Sequence, residues 1–169
     1  MIPLDAGELG SSGRRLKGNK LPLIGTFHSV CARLLRTEAP NIGYRSDFNI
    51  CDDKDSQSLI KRAMKDLEIS DEQFNLFAVQ SAISQAKSEL IDEQTFNEQA
   101  AEFFPKTVAK IYQSYQAQLK KNQTMDFDDL IRLTVNLFQD QPAVLNKYQE
   151  RFKYILVDEY QDTNHAQYI

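Results

Sequence analysis

Between Asp52 and Tyr148 the sequence runs through one amphipathic helical stretch after another, while its β-compatible apolar runs, LPLIG at residues 21–25 and YILVD at 154–158, stand at opposite ends of that block. Two isolated strands so separated cannot make a stable sheet alone. The pattern therefore predicts a mainly α chain, in which a helical insertion is flanked by two strands that belong to a larger sheet. Nothing repeats at a fixed period.

The helical readings rest on spacing and punctuation. LPLIGTF is expected to be a strand ending in a turn at Gly25, followed by a helix in which Val30, Cys31, Leu34 and Leu35 share a face. Leu59, Ile60, Ala63, Met64 and Leu67 form a second stripe. Ser70 and Gln73 have capping-box spacing ahead of Val79, Ile83, Ala86 and Leu90, with Lys87 and Glu89 expected to turn away from that face. A shorter helix is expected at residues 95–104. Pro105 suits the first position of the longest helix, whose stripe is Val108, Ile111, Tyr112, Tyr115 and Leu119. Asp126 caps FDDLIRLTVNLF, where Asp128 and Asp129 favour the positive end of the helix dipole, and Pro142 starts a last helix through Tyr148.

Composition narrows the function classes. A net charge of -4 excludes a general nucleic-acid sponge, although Arg14, Arg15, Lys17, Lys20, Arg33 and Arg36 make the first quarter locally basic. Cys31 and Cys51 lack metal-ligand spacing, and His28 and His165 are too few and too separated for a zinc site. Apolar runs are too short for a membrane span and the start lacks a signal peptide, so a cytoplasmic chain with no membrane partner is expected. Residues 1–20 carry four of the six glycines and little apolar periodicity, which reads as a flexible arm.

Chemistry is concentrated in YILVDEYQDTN. An apolar run without polar alternation suits a strand buried on both faces, and ligand sites in open α/β sheets lie at the carboxyl ends of strands. Asp158 at such an end is a candidate Mg2+ ligand, and Glu159 has the reach to orient or deprotonate an attacking water. A buried strand followed by a solvated acidic turn, with Asp162 capping the next helix, would look similar. Asp158, Glu159, Asp162 and Asp126 together would also suit a metal-dependent nuclease.

Three longer words, GTFHS (25–29), MDFDDLI (125–131) and DEYQDTN (158–164), resemble, in order and spacing, the UvrD, Rep and PcrA group of superfamily-one DNA helicases. The resemblance covers roughly residues 21–169. It implies that DEYQDTN is a Walker B segment and that GTFHS is a single-strand DNA contact of the first RecA-like lobe. Residues 21–39 and 152–169 would belong to that lobe, and the helices of 40–151 would form the accessory 1B subdomain. Asp158 would then be the magnesium carboxylate, Glu159 the catalytic base, and Gln161 and Asp162 would couple nucleotide state to the DNA path. Thr26, Phe27, His28 and Ser29 would meet the DNA backbone. Apart from the resemblance, the basic first quarter and the helical face bearing Lys87 are expected to give the chain alone at most weak DNA binding.

The phosphate-cradling word G-x-x-x-x-G-K-[ST] is absent, since no Gly is followed directly by Lys and then Ser or Thr. The expectation is a piece of an ATP-dependent 3′ to 5′ DNA helicase, working in repair or replication restart. Its parent would use Mg2+ and ATP, its partners would be single-stranded and duplex DNA and the remainder of the helicase, and the chain alone would hydrolyse no ATP and bind no nucleotide tightly. Exposed terminal strands would favour self-association. A non-enzymatic helical interaction module is the alternative.

Overall fold

The computed structural model describes residues 22–70 and 73–169. The expected arm at residues 1–20, with its basic cluster, lies outside the described residues, as does Leu21. From Phe27 onward helices dominate. Helix α1 (Phe27–Glu38) runs into a 3-10 turn (Ala39–Ile42) that ends at Gly43, whose φ of 68° favours glycine. A two-residue strand β1 (Asn49–Ile50) leads to α2 (Asp53–Asp66), and α3 (Leu76–Ser88), α4 (Glu93–Gln99) and α5 (Phe103–Lys121) follow. Strand β2 (Thr124–Met125), α6 (Phe127–Asp140), α7 (Pro142–Arg151), a 3-10 turn at Tyr160–Asp162 and α8 (His165–Tyr168) complete the chain.

The mainly α reading holds, but the strands are not the expected ones. Residues 22–25 and 152–159 carry no sheet ladder, and the two runs do not pair with each other among the described residues. Residues 154–157 instead stand open to solvent, with Tyr154 92% and Leu156 98% exposed. An apolar strand without neighbours has nothing to satisfy its backbone groups or cover its side chains, so it stays irregular.

The strands that do form are a parallel clasp, Asn49 opposite Thr124 and Ile50 opposite Met125. The Asn49 N–H donates to the Gln123 carbonyl at 2.9 Å and the Cys51 N–H to Met125 at 3.0 Å. Each strand runs into an aspartate cap: Asp52 accepts from the N–H groups of Lys54 and Asp55, and Asp126 from that of Asp129. The clasp thus sets the starts of α2 and α6 side by side. Pro142 opens α7 as expected. Pro105 occupies the third rather than the first position of α5, where its missing N–H is still among the unpaired donors of the first turn. Ser70 and Gln73 form a turn, and α3 starts later under Asn75, which caps Phe77 and Ala78.

Two apolar clusters result. One gathers Ile60, Met64, Val79, Ile83, Tyr112 and Leu119 from α2, α3 and α5. The other gathers Leu35, Phe48, Met125, Leu130, Leu137 and Ala166 from α1, α6, α8 and the connections. Among the described residues no helix is long and apolar enough to cross a membrane.

Candidate functional site

GTFHS builds the start of α1. Thr26 is its N-cap, with extended backbone and a hydroxyl that accepts from the Ser29 N–H at 3.3 Å, while the Ser29 hydroxyl donates to the Thr26 carbonyl at 2.9 Å. A Cβ on Gly25 would lie 2.3 Å from the Ser29 Oγ, so glycine there lets the hydroxyl keep this position. The His28 ring meets the Phe127 ring edge-on, with centroids 5.8 Å apart and planes at 82°. Two of the three sequence words, GTFHS and MDFDDLI, are therefore neighbours in space, joined as α1 packs on α6. The resulting corner presents a helix N-terminus with a half-exposed aromatic beside it, a geometry suited to anionic oxygen.

The third word stands apart in character. Asp158 accepts at Oδ1 from the Glu159 N–H at 3.0 Å, and the Glu159 carboxylate accepts from the Gln161 amide. Glu159 itself sits at φ 50°, ψ 43°, a left-handed conformation that costs a non-glycine residue about 1 kcal/mol or more. After it, Asn164 and Gln167 form a reciprocal capping box for α8, and the Tyr160 and Tyr168 rings lie 6.4 Å apart. Ala166 of α8 is buried and anchors this tail on the second cluster. Asp158, Glu159, Gln161 and Asp162 are all exposed.

Among the described residues no three His, Cys, Asp or Glu side chains gather in a metal-holding arrangement. The donors at 158–162 fit a magnesium nucleotide only in part. Asp158 offers an open carboxylate, but the Glu159 carboxylate is already engaged by Gln161 and no phosphate cradle accompanies them among the described residues. The four-acid nuclease set is not brought together, because Asp126 is committed elsewhere.

That commitment is the feature the spacing misread. Lys87, expected on the outer face and at the DNA, is 1% exposed. Its ammonium lies 2.6 Å from Asp126 Oδ2 and 3.0 Å from Asp129 Oδ1. Tyr115 donates to Asp126 at 2.8 Å, Gln116 donates to Asp129, and Arg132 donates to Asp129 at 3.0 Å. Burial alone would push the Lys87 ammonium down, but Asp129 and Asp126 outweigh it and hold it above the usual lysine range. Burial would likewise raise the Asp129 carboxyl, yet Lys87 and Arg132 hold it down at about 2. Lys87 therefore cannot reach a phosphate from this position. It joins α3 to α6 at the seam of the two apolar clusters. One signal was present: Lys87 follows Ala86 and lies four residues after Ile83 and eight after Val79, on the buried stripe.

A second tie holds α7 to α1. Glu38 accepts from Lys147 at 2.5 Å and from the Tyr148 hydroxyl at 2.9 Å. Burial would raise the Glu38 carboxyl, but these two donors leave it below its usual range.

The profile described as "UvrD/REP helicase N-terminal domain" matches residues 9–169. Among curated proteins, the ATP-dependent DNA helicase PcrA of Leuconostoc citreum is 43% identical over 145 residues, 86% of this chain and 19% of that protein. PcrA of Bacillus subtilis (strain 168) is 44% identical over 146 residues, 86% of this chain and 20% of its own length. PcrA of Staphylococcus aureus (strain Mu50) is 42% identical over 165 residues, 96% of this chain and 23% of its own length. The chain thus spans about a fifth of the length of these relatives.

Proposed function

The chain belongs to the UvrD/REP helicase N-terminal domain family, and from that membership we propose that it supplies a DNA-handling portion of an ATP-dependent, 3′ to 5′ DNA helicase acting in repair or replication restart in the cytoplasm. Thr26, Phe27, His28 and Ser29 meet the single strand, through donors that suit phosphate oxygen and carry no sequence information. Residues 40–151 act as the helical 1B subdomain, and residues 21–39 and 152–169 as parts of a RecA-like lobe. The observation that carries the reading is the junction of GTFHS with MDFDDLI, where the His28 ring seats on Phe127 at the start of α6.

In a completed nucleotide site Asp158 is the magnesium carboxylate and Glu159 the base for the attacking water, with Gln161 and Asp162 coupling that site to the DNA. The sequence contains no phosphate-cradling loop. This chain alone therefore hydrolyses no ATP, and its bare run at residues 154–157 is where the remainder of the helicase, or a second copy, pairs.

Fluorescence anisotropy of a labelled single-stranded oligonucleotide, at low and physiological salt and with and without Mg2+ and ATP, tests the reading. Salt-sensitive binding that is indifferent to ATP and weakened by Thr26→Ala with His28→Ala is expected. No affinity at any salt would favour the non-enzymatic interaction module instead.

A further inference from the structure

Helix α5, FFPKTVAKIYQSYQAQLKK, contains no Asp or Glu in 19 residues, although acids outnumber bases in the whole chain by 24 to 20. One face of it is the buried stripe already described. On another, Phe103, Lys106, Lys110 and Lys121 fall within an arc of about 60° along about 27 Å of helix, and all four are exposed.

The three lysines make no ion pair with any described residue, despite Glu93 and Glu98 on the packed neighbour α4 and Glu102 at the helix start. Lys120 differs. Its ammonium donates to the Ile42 carbonyl at 2.6 Å and lies 3.7 Å from the centre of the Tyr44 ring, so the fold uses it as a tie. Phe103 at the head of the stripe is 78% exposed, and its ring is propped by Phe74 at 5.7 Å.

We infer that this face of α5 is a docking surface for single-stranded DNA, separate from GTFHS, in which Lys106, Lys110 and Lys121 meet successive parts of the phosphodiester backbone and Phe103 stacks on an unpaired base. The lysines complement any polyanion. The exposed, propped aromatic selects the strand whose base faces are free, which neither a duplex nor an acidic polypeptide offers. Because α5 packs against α4, α2, β2 and α3 while GTFHS sits where α1 meets α6, the two contacts are separable by mutation.

The test is anisotropy of labelled dT20 and of a 20-base-pair duplex with the full chain across a KCl series. Four variants are compared: Lys106→Gln/Lys110→Gln/Lys121→Gln; a charge-matched control, Lys54→Gln/Lys65→Gln/Lys153→Gln; Phe103→Ala; and Thr26→Ala/His28→Ala. Circular dichroism confirms that each is folded. The stripe variant is expected to lower the slope of log affinity against log salt by about 2, from three lost single-strand phosphates. The control keeps its slope, and Phe103→Ala weakens dT20 binding about 5-fold or more.

Equal losses in the control, equal competition by poly-glutamate, duplex binding as tight as dT20 and indifferent to Phe103→Ala, or no binding by the wild type at the lowest salt would each overturn the inference. Binding lost in Thr26→Ala/His28→Ala but intact in the stripe variant would overturn it while leaving the proposed function standing. The reverse result would leave the stripe and remove the GTFHS contact.

Discussion

Asp126 and Asp129 are as acidic as Asp158 and Glu159, and both pairs lie at the edge of an apolar run, yet the molecule treats them oppositely. The first pair is buried against Lys87 and Arg132, with the Tyr115 hydroxyl and Gln116 amide filling further acceptor sites. The second stands in solvent, engaged among the described residues only by its own neighbours in sequence. A carboxylate drawn into the interior must bring its cation with it, and so becomes part of the architecture. One left outside needs no buried cation and stays accessible to solvent, the strained Glu159 backbone being its only local cost.

The sharpest way to break this contrast is Lys87→Ala, which leaves the Asp126 carboxylate with no cation and Asp129 with Arg132 alone. A loss of about 3–5 kcal/mol is expected from urea unfolding, and an unchanged midpoint would mean that the seam between the clusters is not held by charge. Asp126→Ala follows, removing the α6 cap and one acceptor of Lys87 together; the cap alone accounts for about 1 kcal/mol, and a slackened His28–Phe127 contact should appear as faster proteolysis at the start of α1.

pH sharpens the same contrast. Asp129 is held at about 2 against an ordinary 3.8, so its contribution is complete above the ordinary value and disappears as pH falls toward 2. Lys87 is shifted upward from 10.5, so its contribution is complete below that value and disappears only as pH rises past its higher native value. Thermal stability should hold a plateau between those limits as far as this cluster is concerned, and Lys87→Ala should shrink the acid shoulder to the part that Arg132 sustains.

The smallest effects belong to the exposed pair. Asp158→Asn should change stability by less than about 0.5 kcal/mol. Glu159→Gly should raise it by up to about 1 kcal/mol, because glycine adopts the left-handed backbone without a Cβ clash; a fall would mean that the Glu159–Gln161 contact outweighs the strain.

Much of this was legible from residue spacing. The stripes of α2 and α5, the Asp126 cap and the Pro142 start follow from period and capping chemistry, which act within a few residues. Lys87 reads as solvent-facing because a charge looks external until its partner is found, and the partners lie at the start of α6, about 40 residues on. Helix ends were blurred for a related reason: Glu68, Leu90 and Gln123 take the left-handed position after α2, α3 and α5, where a sequence reader looks for glycine. The apolar run at 154–157 reads as a strand and is not one here, because strand formation depends on neighbours that composition cannot supply.

The parallel clasp of β1 and β2 joins residue 49 to residue 124 across all of α2 to α5. Bringing the ends of such a segment together costs about 4 kcal/mol of chain entropy, and so short a ladder cannot repay that until the intervening helices have shortened the path. The clasp is thus expected to close late in folding, after α2, α3 and α5 have found one another, making sequence-distant closure rather than helix growth the slow step. A cut in the α2–α3 connection would turn that closure into a meeting of two separate chains, with a rate that depends on their concentration.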